Sequence, residues 1–231
     1  MKNAMNMMRK QILSRAAGLG SLLLGCSMLS GCNIVGPAVV LIHGPEKQKA
    51  LYTIDPDRTM VIFIDDRANR LPRRPLRLTI AKAATDIMLK EGVSKNIIDP
   101  AAPLTKISGE TSESPMDMVS LGKAVNAQIL VYVTIDSFSL SEDGVTVTPT
   151  TVMRVKVIDC EKEPARLWPE EPHGKVVIAT IPQKQGIRPK SGSDYAKSLD
   201  TLSKETGRAL AEVFYDHVIQ RRVQDNNSRE D

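Results

Sequence analysis

Apolar and polar positions along the middle of the chain follow a pattern typical of β-strands. The run Thr59 to Ile64 is almost wholly apolar and predicts a buried strand, and Gln128 to Leu140 predicts a longer one. Met153, Val155 and Val157 alternate with basic residues, which predicts a strand with one face in water. Four shorter strands are predicted at Ile97-Ile98, closed by Pro100, at Val145 to Thr151 after the turn Glu142-Asp143-Gly144, at Arg166 to Trp168, and at Lys175 to Ile181.

Apolar residues recur at helical spacing in three other segments. The first runs from about Pro75 to Glu91 and ends before Gly92, a residue suited to the position after a helix. A second helix is predicted to begin with Ser114 as its cap, and Asp117 complements the helix dipole. Its expected buried face is Met118, Leu121 and Val125. The last helix has an expected buried face made of Tyr195, Leu199, Leu202, Thr206, Ala209, Leu210, Val213, Phe214 and His217.

These elements predict an α/β (α+β) sandwich in a single domain, with a mixed sheet and helices mainly on one face. The domain is expected to span residues 58–222. A cysteine and a tether, residues 32–57, precede it, and the polar tail, residues 223–231, is expected to be disordered. Because aromatic residues make up only 3% of the chain, the core has to be aliphatic.

The first 31 residues have the composition of a secretory signal peptide. Four bases and no acid lie before residue 16, and the uncharged segment Ala16 to Leu29 follows. This apolar segment is shorter than the roughly 20 residues that a membrane-spanning helix needs. The pattern therefore predicts secretion.

The signal ends in a lipobox, the motif that prolipoprotein-modifying enzymes recognise, formed by Leu29, Ser30, Gly31 and Cys32. The Cys32 thiol is the group that receives lipid, and the small residues before it give the signal peptidase access to the backbone. The alternative is an ordinary signal with a chance cysteine. A second, weaker match ends at Cys26, but it would leave the apolar segment too short. We therefore expect a mature lipoprotein that begins at Cys32, carries palmitate-like acyl chains and faces the periplasm.

Processing at Cys32 changes the charge of the protein. The whole chain has 31 Lys+Arg against 27 Asp+Glu, but residues 1–31 hold four of the bases and none of the acids, which leaves 27 of each. Without a net positive charge, nucleic acid is not expected as a partner, and membrane attachment falls to the lipid on Cys32. Asn33 and Ile34 follow the cysteine in place of the Asp that retains lipoproteins in the inner membrane, which favours the outer membrane.

Two later segments resemble a group of periplasmic lipoprotein domains. Leu121 to Ala127, leading into Gln128 to Ser137, is similar to the helix–turn–strand of the curli secretion lipoprotein, the penicillin-binding-protein activators, an exopolysaccharide-export lipoprotein and the amino-terminal domain of the Tol-system propeller protein. Val155 to Trp168 resembles the hairpin of that group, although Glu161 to Pro164 replaces its Gly-containing turn. The resemblance covers about residues 58–220. It implies a non-catalytic module that binds envelope partners or oligomerises.

Sequence motifs for chemistry are scarce. His43, His173 and His217 have no second ligand at metal spacing, and HExxH, CxxC, GxSxG, P-loop and GxGxxG patterns are missing from the sequence. After processing, Cys160 has no cysteine partner except the lipidated Cys32. We interpret Cys160 as a buried small hydrophobic residue at a strand end; a reactive thiol is the alternative. We therefore expect no enzyme, no cofactor and no metal; the alternative is a hydrolase whose site has no recognised motif.

Acidic and basic residues are concentrated after the first predicted strand. Asp65 and Asp66 point opposite ways in an extended chain, so they do not clamp a metal without a bend. The same stretch contains five arginines: Arg67, Arg70, Arg73, Arg74 and Arg77. One interpretation is a solvated loop and helix start held by ion pairs. The other is a surface for an anionic partner, since arginines at a helix start oppose the dipole.

Two functions follow as expectations. The leading one is a lipid-anchored envelope lipoprotein that acts as a non-catalytic protein-interaction or assembly module. Its partners would be envelope proteins or further copies in a homo-oligomer. The alternative is a binding domain for an anionic envelope ligand, glycan or lipid, through the stretch Arg67 to Arg77.

Overall fold

The computed structural model describes residues 47–109, 116–141, 147–181 and 191–218, all within one unit that begins at Lys47. The strands are β1 (Lys47–Gln48), β2 (Met60–Asp65), β3 (Ile129–Ser139), β4 (Thr150–Asp159), β5 (Arg166–Trp168), β6 (Lys175–Thr180) and β7 (His217–Val218). The helices are α1 (Leu76–Lys90), α2 (Ala101–Lys106), α3 (Met118–Ala124) and α4 (Gly192–Glu212), and a 3₁₀ turn covers Ile107–Gly109. The α/β fold class predicted from the sequence is confirmed.

Five strands form a mixed sheet. β2 runs parallel to β3, β3 is antiparallel to β4, and β4 pairs along its other edge with both β5 and β6. β6 covers the part of that edge near the start of β4, and β5 covers the part near its end. β1 and β7 make a separate antiparallel pair, which joins the two ends of the described chain.

Alternating side chains of the sheet enter two cores on opposite faces. Met60, Ile62 and Ile64 of β2 point into the larger core, where α1 and α4 pack, whereas Val61 and Phe63 enter a smaller core. The smaller core contains apolar residues of α3 and of the end of β4. Every residue of β2 is buried because both of its faces are covered. The two long helices lie on one face, as predicted.

Helices α1 and α4 pack closely because α4 carries a glycine at their contact. A Cβ atom added to Gly207 would lie 2.5 Å from the Ile80 carbonyl oxygen and 2.7 Å from Ala83 Cβ. Further along, burial and then the carboxylates of Glu212, at the end of α4, and Glu91, just after α1, raise the pKa of Tyr215. Tyr215 therefore lies near both carboxylates, and the ends of the two helices are close together. The helices therefore run in the same direction.

The end of α1 follows the prediction from the sequence. Gly92 has a φ of 71°, its N–H donates to the Leu89 carbonyl at 3.3 Å, and the Val93 N–H donates to the Met88 carbonyl at 2.9 Å. These two bonds satisfy carbonyl groups that the helix leaves unpaired at its end. Glycine occupies this position because the left-handed conformation is unfavourable for residues with a Cβ.

Several predicted details were wrong. Asp117, rather than Ser114, caps α3 by accepting a hydrogen bond from the Ser120 N–H at 3.0 Å; Ser114 itself lies outside the described residues. Ile97 makes only an isolated bridge to Met60, and Pro100 begins the unpredicted helix α2 instead of merely closing a strand. Of the predicted strand 145–151, only Thr150 and Thr151 are in a strand, where they begin β4; residues 147–149 are not in a strand, and 145–146 lie outside the described residues.

The buried face of α4 was predicted too long at both ends. Leu199, Leu202 and Leu210 are buried as expected, but Tyr195 in the first turn is 47% exposed. His217 does not continue the helix, because α4 ends at Glu212 and His217 lies in β7. None of the helices in the described ranges is both long and apolar enough to cross a bilayer.

Candidate functional site

The five predicted arginines lie between β2 and the first turn of α1, at the end of the sheet where β2 finishes. We call Arg67, Arg70, Arg73, Arg74 and Arg77 the arginine surface. The first four of these residues are exposed, and Arg77 is partly buried in the first turn of α1. The structure therefore brings the arginines together at one end of the domain.

Asp65 lies on the buried side of the segment that carries the arginines. It is 8% exposed, and its carboxylate accepts hydrogen bonds from the Tyr132 hydroxyl of β3 and from the Arg67 N–H at 3.0 Å. The Arg67 guanidinium lies 3.6 Å from the same carboxylate and reaches the Met116 carbonyl at 3.4 Å. Burial, followed by the hydrogen bond to Asp65, raises the pKa of Tyr132, so its hydroxyl stays protonated as a donor.

Asp66 holds the following turn together through backbone groups. Its carboxylate accepts hydrogen bonds from the Arg70 N–H at 2.6 Å and from the Leu71 N–H at 3.2 Å. Asp66 is 9% exposed, and Leu71 beside it enters the larger core. The Asp66 carboxylate and the buried Leu71 side chain therefore fix the conformation of this loop.

The expectation that ion pairs hold this loop was correct for one arginine only. Arg67 reaches Asp65, but no ion pair to Arg70, Arg73, Arg74 or Arg77 occurs within the described ranges. Asp65 and Asp66 are buried, not solvated, and each has its own set of donors. Four guanidinium groups consequently remain uncompensated by carboxylates in this part of the chain.

The start of α1 adds to the positive potential of the arginine surface. Pro75 is its N-cap, no side chain caps the helix, and its first turn contains no acid. The aligned peptide dipoles of a helix give its start partial positive charge. Arg73, Arg74 and Arg77 therefore lie where cations are electrostatically unfavourable.

A second exposed surface lies on β6, the edge strand. Val176 is 43% exposed and Ile178 is 60% exposed, and both point away from the core that holds Met153 and Val155 of β4. β6 pairs with β4 and with no other strand among the residues that the structure describes. Its outer edge thus presents backbone donors and acceptors next to apolar side chains.

Cys160 follows β4 and is buried, as the sequence suggested. Its side chain is 1% exposed and packs against α3, where a Cβ atom added to Gly122 would overlap its sulfur. Burial, with a smaller effect from Asp159, raises the pKa of the Cys160 thiol to about 11. The thiol is therefore protonated at neutral pH and unsuited to nucleophilic chemistry.

One buried ion pair escaped the sequence analysis. The Arg58 guanidinium lies 2.8 Å from the Asp159 carboxylate and also donates to the Gln128 carbonyl at 3.2 Å. Asp159 accepts two further bonds, from the N–H groups of Glu161 and Lys162. Arg58 and Asp159 are 101 positions apart, so no local pattern connects them.

The remaining predicted sites lie in other parts of the chain. The lipobox residues Leu29, Ser30, Gly31 and Cys32, together with His43, lie outside the described residues. His173 is exposed in a turn. Within the described ranges, no group of three or more His, Cys, Asp or Glu side chains is arranged to hold a metal ion.

Some solved structures are similar to this chain at low identity. A PelC variant dodecamer from Paraburkholderia phytofirmans has a TM-score of 0.40 and 11% identity, covering 74% of this chain and 97% of that chain. Lipoprotein GNA1162 from Neisseria meningitidis has a TM-score of 0.39 and 12% identity, with coverage of 63% and 96%. The hypothetical protein CT253 from Chlamydia trachomatis has a TM-score of 0.37 and 14% identity, with coverage of 68% and 91%.

No protein-family model and no curated protein matches this sequence. At the TM-scores and identities given above, the similarities to solved structures carry no argument about activity, ligand or assembly. Function therefore has to be inferred from this chain's own residues.

Proposed function

We propose that the chain is a cell-envelope lipoprotein, held on a membrane by acyl chains on Cys32, whose α/β domain is a non-catalytic protein-interaction module. The observation that carries the proposal is the lipobox Leu29 to Cys32 at the end of an uncharged apolar segment. The domain would face the periplasm, with the outer membrane favoured by Asn33 and Ile34.

Replacement of the acyl acceptor tests the anchor. Cys32→Ala should leave an unprocessed precursor that takes up no labelled palmitate, because the thiol that receives lipid is gone. Cys26→Ala is the matched control, since this cysteine lies six residues earlier inside the apolar segment. Normal labelling of the Cys32 variant, or loss of labelling in the Cys26 variant alone, would show that the lipobox is assigned wrongly.

The exposed edge strand β6 supports the interaction part of the proposal. Val176 and Ile178 are apolar side chains left in water beside an unpaired strand edge. A partner that adds a strand there would satisfy backbone groups and cover both side chains. The partner would be an envelope protein or a second copy of this chain.

Charges placed on β6 test this surface. In the Val176→Glu and Ile178→Lys double variant, cross-linking to envelope proteins or to further copies should be lost while the melting temperature changes little, because both side chains are exposed. A matched control is Leu89→Lys, which places a charge at another exposed apolar position. Undiminished cross-linking in the β6 variant would exclude this edge as the interaction surface.

A second candidate function is favoured by the arginine surface. The guanidinium groups of Arg70, Arg73, Arg74 and Arg77, which have no carboxylate partner within the described ranges, support binding of an anionic envelope ligand, either a glycan or a lipid headgroup. This function uses the end of the domain where β2 finishes and does not compete with β6 for the same residues.

A further inference from the structure

The arginine surface and the chain's first described residue lie at opposite ends of the domain. The arginine surface precedes and includes the start of α1, whose 15 residues extend for about 22 Å. Near the other end of α1, the Leu51 N–H donates to the Val213 carbonyl at 2.8 Å, and β1 pairs with β7. Lys47, the first described residue, therefore lies far from the arginines.

The backbone that displays the arginines is fixed before any ligand arrives. Asp66 holds the N–H groups of Arg70 and Leu71, and Asp65 holds the N–H of Arg67. Pro72 and Pro75 restrict the backbone between these bonds and α1. A fixed loop loses less conformational entropy on binding than a flexible one.

The choice of side chain indicates an oxyanion ligand. All five basic residues between positions 66 and 82 are arginines, and none is a lysine. A guanidinium donates two parallel hydrogen bonds to a carboxylate or phosphate, whereas a lysine provides a point charge. General attraction to a charged bilayer would not require this geometry.

Apolar anchors, which a protein interface needs at its centre, lie elsewhere on the domain. The exposed large hydrophobic residues of the described ranges are Leu51, Leu89, Leu167, Val176, Ile178, Tyr195 and Val218. None of them belongs to the segment 67–77. The arginine surface thus suits a hydrated polyanion better than a protein or the apolar interior of a bilayer.

We propose that the arginine surface binds an acidic polysaccharide, with its oxyanion groups held between the guanidinium groups of Arg70, Arg73, Arg74 and Arg77. The inference rests on the second candidate function and specifies its ligand. Because exposed ion pairs are individually weak, a repeating polymer that engages several arginines binds, whereas a single sugar acid does not.

The test uses the mature lipoprotein in detergent micelles and polygalacturonate as the probe. In the Arg73→Gln and Arg74→Gln double variant, affinity should fall about tenfold or more, with an unchanged melting temperature. The matched control is the Lys47→Gln and Lys49→Gln double variant, which removes the same charge from exposed side chains at the opposite end. Wild-type binding should also weaken as salt rises, and monomeric galacturonate should not compete.

Different outcomes separate the failure of the inference from the failure of the function on which it rests. Arginine-dependent binding of phosphatidylglycerol vesicles or polyglutamate in preference to polygalacturonate would overturn the polysaccharide but keep an anionic ligand. Equal binding by wild type and the arginine variant to all three probes would overturn both. An equal loss of affinity in the lysine variant would mean that binding depends on net charge alone. This result would also overturn the arginine surface as the binding site.

Discussion

Asp159 shows how a single buried carboxylate joins three parts of the chain. Its side chain is 2% exposed, and its partners come from the segment before β2 and from the turn after β4. Burial alone would raise the pKa of Asp159, but the hydrogen bond from Arg58 outweighs burial and lowers the pKa to about 2. The pair therefore attaches the β4–β5 turn to the start of β2.

Removal of Arg58 should destabilise the domain. In Arg58→Met, Asp159 keeps its two backbone donors but loses its counter-ion, and the free energy of unfolding should fall by about 3 kcal/mol. Lys95→Met is the control, because it breaks an ion pair whose side chains are 70% and 73% exposed and should leave the melting temperature unchanged. Chemical denaturation of both variants measures the difference; equal effects would mean that burial of the Arg58 pair is unimportant.

The same carboxylate predicts a pH dependence. The pKa of Asp159 in the folded state lies below its ordinary value of 3.8, so its stabilising effect is complete above that value. The effect is lost as the pH falls toward about 2. Unfolding measured between about pH 5 and pH 2 should show a steeper loss in wild type than in Asp159→Asn. Parallel profiles would assign the acid sensitivity to other carboxylates.

At the scale of elements, sequence patterns located strands better than helix ends. β2, β3 and β6 lie within one residue of their predicted starts and ends, because their apolar runs are bounded by polar or turn residues. Helical spacing, in contrast, assigns a face but does not show how far the neighbouring element extends. Tyr195 shares a face with Leu199, yet only Leu199 reaches the core.

The end of α4 and the arginine loop show what local patterns cannot supply. Apolar spacing continues from Leu210 to Val213 and Phe214, but no glycine marks the stop, so the turn into β7 was missed. Asp65 and Asp66 are buried, and although Asp66 has only local backbone donors, one donor to Asp65 comes from a distant strand. Tyr132 reaches Asp65 only because β3 pairs in parallel with β2.

The contact between α1 and α4 gives a prediction at the same scale. Gly207→Ala should lower the free energy of unfolding by about 1–3 kcal/mol, because the added methyl meets the Ile80 carbonyl and the Ala84 backbone nitrogen, which do not move as a flexible side chain would. This cost outweighs the roughly 1 kcal/mol that alanine contributes through helix propensity.

Gly192, in the first turn of α4, provides the matched control. No atom lies within 4 Å of a Cβ added there, so Gly192→Ala should be neutral or slightly stabilising. Thermal unfolding of the two variants under the same conditions measures the contrast. A stabilised Gly207 variant would mean that the helices separate without cost.

At the scale of the whole domain, the two ends and the edge of the sheet present different chemistry. The described residues begin at β1 and end at β7, the arginine surface lies at the far end of α1, and apolar residues are exposed on β6. Such a separation would let the domain bind a polyanion and a protein partner at the same time. The described structure is thus compatible with both proposed binding functions at once.

The larger core also depends on the C-terminal helix as a whole. Leu199, Leu202, Leu210, Val213 and Phe214 are each 3% exposed or less, and α4 is followed by the partner strand of β1. Burial of one large aliphatic side chain stabilises a protein by about 1.5–3 kcal/mol, and total stability is about 5–15 kcal/mol.

A mature chain that stops before Ser191 should therefore fail to fold. Calorimetry and circular dichroism would show no cooperative transition, whereas removal of the predicted tail, residues 223–231, should leave the melting temperature unchanged. A cooperative transition in the shorter chain would mean that the sheet and α1 form a stable core without α4.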